Sequence, residues 1–354
     1  MFYPFYNIIL NNIITYQRCI VKYCYSYNLK KNNILLYLLI KSRYYLIKKS
    51  FMKTNTVRIL FIGLLSALFF SSTFILNRYI AIEGGHWFWS AVLRYIYMVI
   101  ILTLGFVVLK GFSYLKKLVK DFVKNFFFWS ITGSIGFGIF YALICYVSDS
   151  SPAWVVATTW QFTIIASLIV LSFFGKKIPS SIYLSILIIF IGILVVNLAF
   201  INIENLQTQV VNIFLMIIAS FAYPIGNQLV WEHQNDKTSF EKVFLLSLGS
   251  FPFWIMLSLF FEVGLPSYNQ LSSILIVAIL SGIMATSLFL YARSKAENSS
   301  QIALVDATQS TEVIFTLLIE MIFLNLIVPS GMMMVGILCV IVGILLLSYY
   351  NKLH

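Results

Sequence analysis

Ten apolar segments, each of about twenty residues, follow one another along most of the chain and are separated by short polar connections. An α-helix rises about 1.5 Å per residue, so each segment is long enough to cross a bilayer core of about 30 Å. The pattern predicts an all-α integral membrane protein with ten transmembrane helices, whose neighbours are antiparallel because the connections are short. The segments span residues 59–80, 87–109, 125–146, 152–174, 181–201, 210–230, 242–262, 271–291, 301–325 and 330–350.

The second half of the chain matches part of the first half when the sequence is shifted by 150 residues. A repeat of five helices contains an odd number of crossings, so its second copy must lie inverted in the membrane. We therefore predict two inverted five-helix repeats, residues 52–201 and 202–354, which rock about a site at their shared interface. The matching pairs include Val155 and Val305, Ala157 and Ala307, Thr158 and Thr308, and Pro179 and Pro329.

Composition excludes an ordinary soluble domain, because 60% of the residues are hydrophobic, 10% are charged and the mean hydropathy is +0.92. The net charge of +12 by itself would favour a nucleic-acid partner. Residues 1–51, however, hold eight Lys and Arg residues and no acid, so much of the basicity belongs to an N-terminal extension. We therefore expect no nucleic-acid partner.

The basic extension, residues 1–51, contains an apolar run at 34–40 that is too short to span a membrane. Met52 opens a short basic head that leads directly into the first spanning segment. We hypothesise that translation begins at Met52 and that residues 1–51 are not part of the native protein. The alternative is a basic amphipathic segment that lies on an anionic inner leaflet.

The distribution of positive charge predicts the orientation of the protein in the cell's inner, or cytoplasmic, membrane. Lys and Arg residues concentrate in alternate connections, and cytoplasmic loops are the ones that carry this excess. Both termini are therefore predicted to be cytoplasmic. The charged residues of these connections are Lys110, Lys116, Lys117, Lys120, Lys124, Lys176, Lys177, Lys237, Lys242, Arg293 and Lys295.

The ninth segment carries a polar stretch, 306–314, with two carboxylates, one amide and three hydroxyls. Ionisable groups at membrane depth cost about 2.5–3.5 kcal/mol each and normally face a protein or water-filled interior. Glu312 lies roughly ten residues into its segment, which is close to the midplane. We interpret Glu312 as a proton-coupling and substrate-binding carboxylate; a structural ion pair or helix–helix hydrogen bond is the alternative.

Other polar residues near the predicted midplane complete the candidate site. Trp160 could stack on a flat or cationic ligand, and Gln161 could bind substrate or join two helices. Glu320, about 80° around the helix from Glu312, is a second candidate for proton coupling, with a structural or gating role as the alternative. The predicted substrate-binding residues are Thr158, Trp160, Gln161, Asn227, Gln309, Thr311 and Glu312.

Two further charged residues within the segments are interpreted as structural. Asp306 lies two turns from the predicted inner surface, where capping or an ion pair is expected. Arg94 is expected to be the partner of a buried acid. Three small residues in the third segment, Gly133, Gly136 and Gly138, are expected to let helices approach closely.

The sequence contains no motif of an enzyme. There is no P-loop, nucleophile elbow or zincin helix, and the connections are too short to hold a soluble catalytic module. The four Cys and three His residues are scattered, without the spacing of a disulfide framework or a metal centre. We therefore expect a protein that is not an enzyme, with no metal and no cofactor.

Five motifs carry a resemblance to a known family: Phe137-Gly-Ile-Phe-Tyr141, Pro152-Ala-Trp-Val-Val-Ala-Thr-Thr-Trp-Gln161, Phe221-Ala-Tyr-Pro-Ile-Gly-Asn227, Val305-Asp-Ala-Thr-Gln-Ser-Thr-Glu-Val313 and Pro329-Ser330. Together with the ten segments, these motifs resemble the drug/metabolite transporter superfamily, and within it the ten-helix branch of multidrug resistance efflux transporters. The resemblance covers about residues 52–350.

The resemblance implies a secondary active transporter, monomeric or homodimeric, that exports small drug-like or cationic organic compounds by proton antiport. Small four-helix relatives exchange protons at a glutamate in their first helix, but the first segment here has no acid, which leaves Glu312 for that role. Gly175-Lys176-Lys177 stands where many members carry a glutamate. The alternatives are a metabolite or amino-acid exporter of the same fold, and a membrane scaffold or lipid-handling protein without a transport cycle.

Overall fold

The computed structural model describes residues 34–350, apart from 176–179, 181–182, 202, 235, 262–263, 298 and 325–328. Long apolar runs form helices here because a helix satisfies its own backbone hydrogen bonds. The helices are α1 (Ile34–Ile82), α2 (Trp87–Lys110), α3 (Phe112–Lys124), α4 (Phe126–Ser148), α5 (Ala153–Phe173), α6 (Tyr183–Phe200), α7 (Leu206–His233), α8 (Ser239–Ser258), α9 (Tyr268–Ser294), α10 (Ser299–Thr308), α11 (Thr311–Phe323) and α12 (Gly331–Tyr350).

Eight helices in the described part of the chain are long and apolar enough to cross a membrane, as expected for a multi-pass membrane protein. They are α1 from Thr56 onward, α2, and α4 to α9, and they coincide with the first eight predicted segments. The ninth segment forms two helices, α10 and α11, rather than one. The tenth forms α12, whose apolar part is the shorter Gly331–Leu347. Ten membrane-crossing helices and the inverted repeat therefore stay predictions.

Contacts between residues divide the chain into two compact units, Met1–Val57 and Arg58–His354. The hypotheses about residues 1–51 fall largely on residues 1–33, which lie outside the described residues. The two repeats predicted within the second unit, 52–201 and 202–354, stay a prediction. The candidate site lies in this second unit, which is described from here on.

Helix α5 is interrupted at Gln161, because polar side chains compete there for backbone carbonyls. The backbone N–H group of Gln161 donates to the carbonyl of Thr158 at 3.0 Å. This bond joins residues three apart, as in a 3₁₀ turn, rather than four apart as in an α-helix. The Gln161 side chain donates to the carbonyl of Ala157 at 3.0 Å, and the Thr158 hydroxyl donates to that of Trp154 at 2.7 Å. Such side-chain bonds to the preceding turn bend or break helices.

A second interruption, at Gln309 and Ser310, separates α10 from α11. The Ser310 hydroxyl donates to the carbonyl of Ala307 at 2.5 Å, and the Thr311 hydroxyl to that of Thr308 at 2.7 Å. The two interruptions nearly coincide under the 150-residue shift of the sequence. Short π-helical segments also recur, at Ser134–Ile139 in α4 and Ala278–Ala285 in α9. These paired irregularities support the predicted repeat without establishing that it is inverted.

Helices α4, α7 and α8 meet backbone to backbone along a glycine seam. A Cβ atom added to Gly249 of α8 would overlap the backbone of Trp129 in α4, and one added to Gly136 would lie 3.0 Å from the Cα atom of Gly226 in α7. A Cβ atom on Gly133 would lie 2.5 Å from the carbonyl oxygen of Leu246. The expected close approach of helices at these glycines is thus confirmed.

Polar contacts tie the connections together at both ends of the bundle. At one end, the Lys237 ammonium pairs with Asp121 at 3.0 Å. At the other, the Arg78 guanidinium donates to the carbonyls of Ser148 at 3.2 Å and Asp149 at 2.9 Å. These contacts link connections that lie far apart in the sequence.

Candidate functional site

A cavity of about 40 Å³ lies among helices α1, α2, α4, α5, α7, α9, α10 and α11. Six of its eighteen lining residues are aromatic, and they give an apolar, polarisable surface for an organic ligand. Four charged side chains, two acidic and two basic, also line it. The aromatic wall is formed by Phe70, Phe74, Phe140, Trp160, Tyr223 and Phe289, and the charged residues are Arg94, Arg293, Asp306 and Glu312.

Glu312 lies in the first turn of α11, immediately after the helix interruption. Its side chain lines the cavity although the residue is only 2% exposed. Within the described residues its carboxylate has no hydrogen-bond or ion-pair partner. The neighbouring hydroxyls of Thr308, Ser310 and Thr311 all donate to backbone carbonyls of the preceding turn, so none of them bonds this carboxylate.

Asp306 also lines the cavity, but it is paired. One carboxylate oxygen lies 3.3 Å from the Arg293 Nε atom of α9, and the other accepts a 3.4 Å hydrogen bond from the Ser167 hydroxyl of α5. Arg293 Nε and Asp306 Oδ1 are poorly aligned for a hydrogen bond, so this is a charge contact. The ion-pair role expected for Asp306 is confirmed, and its partner is Arg293.

Arg94 of α2 is 3% exposed, and its guanidinium lies 4.0 Å from the centre of the Tyr141 ring. The Nη2 atom donates to the Ser281 hydroxyl at 3.0 Å, whereas Nε and Nη1 have no hydrogen-bond acceptor. The expectation that Arg94 pairs with a buried acid is wrong: its contacts in the described part of the chain are an aromatic ring and a hydroxyl.

The structure brings four of the predicted substrate-binding residues to the cavity, namely Trp160, Asn227, Gln309 and Glu312. The other three, Thr158, Gln161 and Thr311, do not line it. Their side chains bond backbone carbonyls of the preceding turn. These three residues shape the helix interruptions that position their neighbours.

Glu320, the second residue predicted for proton coupling, lies outside the cavity. Its two carboxylate oxygens accept hydrogen bonds from the backbone N–H groups of Ala153 at 3.1 Å and Trp154 at 2.8 Å, at the start of α5. The first N–H groups of a helix lack partners within it, and a carboxylate there also meets the positive end of the helix dipole. Glu320 thus joins α11 to the beginning of α5.

Fourteen of the eighteen residues that line the cavity were not predicted as part of the site, among them Tyr223, Ser167 and Arg293. Arg293 was interpreted only as part of the positive charge of a connection, although it lies within α9. It lies two residues beyond the predicted end of the eighth segment, 271–291, so its position in the sequence did not indicate a place in the cavity. No group of three or more His, Cys, Asp or Glu side chains in the described ranges is placed to hold a metal ion.

Comparison with known proteins gives two relatives whose names state no function. The chain is 35% identical over 310 residues to the "Uncharacterized protein YjlA" of Bacillus subtilis (strain 168), covering 82% of this chain and 94% of that protein. It is 34% identical over 256 residues to an uncharacterized 42.1 kDa protein of Shouchella clausii, covering 68% of this chain and 65% of the relative.

A solved structure, titled only "Crystal structure of protein", has the same fold, with a TM-score of 0.57 and 13% identity over 83% of this chain and 99% of that one. The sequence model of one family matches residues 57–353, which include all of the cavity residues. The chain therefore belongs to the EmrE family, which is described as "Putative multidrug resistance efflux transporter".

Proposed function

We propose that this protein is a secondary transporter that exports small organic compounds carrying a positive charge, in exchange for protons. Family membership supports membrane transport in general. The observation that carries the finer proposal is Glu312, a buried carboxylate that lines an aromatic cavity and has no protein partner among the described residues.

The chemistry of exchange follows from the surroundings of Glu312. An ionised carboxylate without a partner in a low-dielectric interior is costly, so the site favours either a bound proton or a bound cation. Proton and cation then compete for one carboxylate. Competition of this kind couples the outward movement of the cation to the inward movement of the proton.

The aromatic wall and the polar residues beside Glu312 supply the remaining contacts of the substrate. Aromatic faces attract organic cations, and Trp160 of α5 is one such surface. Asn227 and Gln309 add amide donors and acceptors close to the cavity. We propose that the two interrupted helices, α5 and α10–α11, open this cavity alternately to the two sides of the cell membrane, with both chain termini in the cytoplasm.

The test is transport by the full chain reconstituted in liposomes. Radiolabelled tetraphenylphosphonium, ethidium and phenylalanine are added to vesicles with an acidic interior, and their uptake is measured. The control repeats the measurement with nigericin in potassium medium, which collapses the pH gradient. We expect at least one compound to accumulate only while the gradient lasts. Glu312→Gln should abolish this accumulation.

Glu320→Gln provides the matched control, because it removes an equally buried carboxylate from the same helix but outside the cavity. It should retain gradient-driven uptake if only Glu312 exchanges protons. Uptake that persists in Glu312→Gln, or a folded wild-type protein that moves none of the three compounds, would contradict the proposal.

A scaffold or lipid-handling protein without a transport cycle is the alternative of another class. A packed interior would favour it. The cavity and its unpartnered carboxylate instead support transport.

A further inference from the structure

The cavity contains one unneutralised group of each sign. Of its four charged residues, Arg293 and Asp306 face each other at 3.3 Å and balance one another. This leaves Glu312 and Arg94, which line the same cavity. A ligand that matches the cavity should therefore carry charges of both signs.

Arg94 has unused capacity to bind an anion. A guanidinium has five N–H donors in a planar fork that fits carboxylate or phosphate groups. Among the residues that the structure describes, only the Nη2 atom of Arg94 has an acceptor, and the Ser281 hydroxyl that accepts also receives a hydrogen bond from Thr73. Nε and Nη1 are buried and have no acceptor in this described part of the chain.

A purely structural role for Arg94 leaves these donors unexplained. Buried polar groups nearly always have partners, because a buried donor without an acceptor loses the hydrogen bonds that it makes in water. The Tyr141 ring, whose centre lies 4.0 Å from the guanidinium carbon, stabilises the charge of Arg94 but gives Nε and Nη1 no hydrogen-bond acceptor. A bound anion would supply the missing acceptors.

A lipophilic monocation fits this cavity less well than a zwitterion does. A monocation drawn to Glu312 also meets the positive charge of Arg94 in the same low-dielectric space. A zwitterion places its cationic group at Glu312 and its anionic group at Arg94. The aromatic side chains between the helices then contact an apolar body.

We propose that the substrate is a small zwitterion with an apolar body, whose anionic group binds Arg94. This inference rests on the proposed function, since it assigns the substrate class of the same cavity. Arg94 is then the residue that determines specificity for an anionic group, and Glu312 remains the site of proton exchange.

The test compares two compounds that differ by one methyl group, which removes the negative charge by esterification. One is the trimethylammonium betaine of phenylalanine, a permanent zwitterion, and the other is its methyl ester, a permanent cation. Neither can lose a proton from nitrogen and leak across the bilayer as a neutral amine. Radiolabelled uptake into liposomes with an acidic interior and equilibrium binding to the full chain in detergent are both measured.

We expect the wild-type protein to bind and accumulate the betaine in preference to the ester. Arg94→Gln should lower the betaine-to-ester ratio at least about tenfold, because it removes charge-assisted hydrogen bonds. Arg94→Lys keeps the positive charge but not the planar guanidinium donors, so its betaine-to-ester ratio should lie between the ratios of the wild type and Arg94→Gln. This variant also keeps the test decisive if Arg94→Gln fails to fold.

Arg78→Gln is the control, since Arg78 is an arginine of the same bundle that does not line the cavity, and its ratio should equal that of the wild type. The inference is overturned if the wild-type protein prefers the ester, or if neither Arg94 variant changes the betaine-to-ester ratio. Uptake of the ester that depends on Glu312 would in that case still support the proposed function. If neither compound binds or moves, the zwitterion assignment is overturned as well.

Discussion

Glu312 and Glu320 lie about two turns apart on the same helix, and each is only 2% exposed, yet their surroundings differ completely. Glu320 has two backbone N–H donors at 2.8 and 3.1 Å, whereas Glu312 has an aromatic cavity and no partner in the described part of the chain. Burial of an acid in a membrane helix therefore does not by itself identify a functional site. The contacts of its two oxygens distinguish a structural carboxylate from one that is free to exchange.

This comparison predicts that neutralising a partnered buried acid lowers stability, whereas neutralising an unpartnered one leaves stability almost unchanged. Removal of a partnered acid leaves its donors without an acceptor, whereas removal of an unpartnered acid leaves nothing unsatisfied. Four variants test this difference, and thermal unfolding in detergent is a suitable measurement for all of them.

The largest effect is expected for Asp306, which faces the cavity as Glu312 does but is paired as Glu320 is. Asp306→Asn leaves Arg293 without its ion pair, and breaking a buried pair costs about 3–5 kcal/mol. The effect should fall at the lower end, because the new amide oxygen can still accept from Ser167. The double variant Asp306→Asn with Arg293→Gln should recover part of the lost stability. An Asp306→Asn protein that is as stable as the wild type would contradict the ion pair.

Glu320→Ala should be the next most damaging. It removes the acceptors of Ala153 and Trp154 and so leaves two buried N–H groups unsatisfied, at a cost of about 1–3 kcal/mol. Glu320→Gln keeps one acceptor oxygen and should lose less. Equal losses for both variants would show that the charge of Glu320, rather than its hydrogen bonds, stabilises the start of α5.

Glu312→Gln should leave stability almost unchanged, with no loss beyond about 0.5 kcal/mol. The amide has nearly the volume of the carboxyl group and breaks no contact of the described residues. This substitution should therefore abolish proton-driven transport in a protein that unfolds at the wild-type temperature. A clear loss of stability would show that Glu312 has a structural partner after all.

The smallest effect concerns Asp149, an acid outside the spanning helices. Desolvation by the surrounding protein raises the pKa of its carboxyl to about 6, and the nearby Arg78 guanidinium opposes this rise. An acid whose pKa is higher in the folded state destabilises the fold once it ionises, so stability should fall slightly as the pH rises from about 4 to 6. The effect on stability is small because the Asp149 side chain is also exposed, so water offsets much of the desolvation.

Asp149→Asn should remove this slope. Unfolding temperatures of wild type and variant, compared at intervals between pH 4 and 7, give the result. Parallel curves would show that Asp149 has the same pKa in the folded and unfolded chain.

Much of the fold could be predicted from the sequence, because apolar runs of spanning length have few alternatives in a bilayer. The first eight segments correspond to helices, and the polar stretch around Glu312 lies at the cavity. The interruption between α10 and α11 was not predicted, although the hydroxyls of Thr308, Ser310 and Thr311 were its visible cause. Side chains that bond the preceding turn are tolerated in many continuous helices, so sequence alone does not locate a break.

The surroundings of individual charges could not be predicted from the sequence. Arg94 was expected to meet an acid, but the rotation of α2 directs it to Tyr141 and Ser281. Asp306 was correctly expected to be paired, yet its partner came from a different helix whose position the sequence does not give. Such contacts depend on how helices pack against one another, which differences of a few degrees in rotation decide.

The glycine seam of α4, α7 and α8 limits how this bundle can rearrange. Where two backbones touch, as they do at Gly249 and Trp129, no layer of side chains lies between them to repack or slide. These three helices should consequently travel as a single block. Any switch between inward-facing and outward-facing forms then has to be absorbed by flexure of the interrupted helices, α5 and α10–α11.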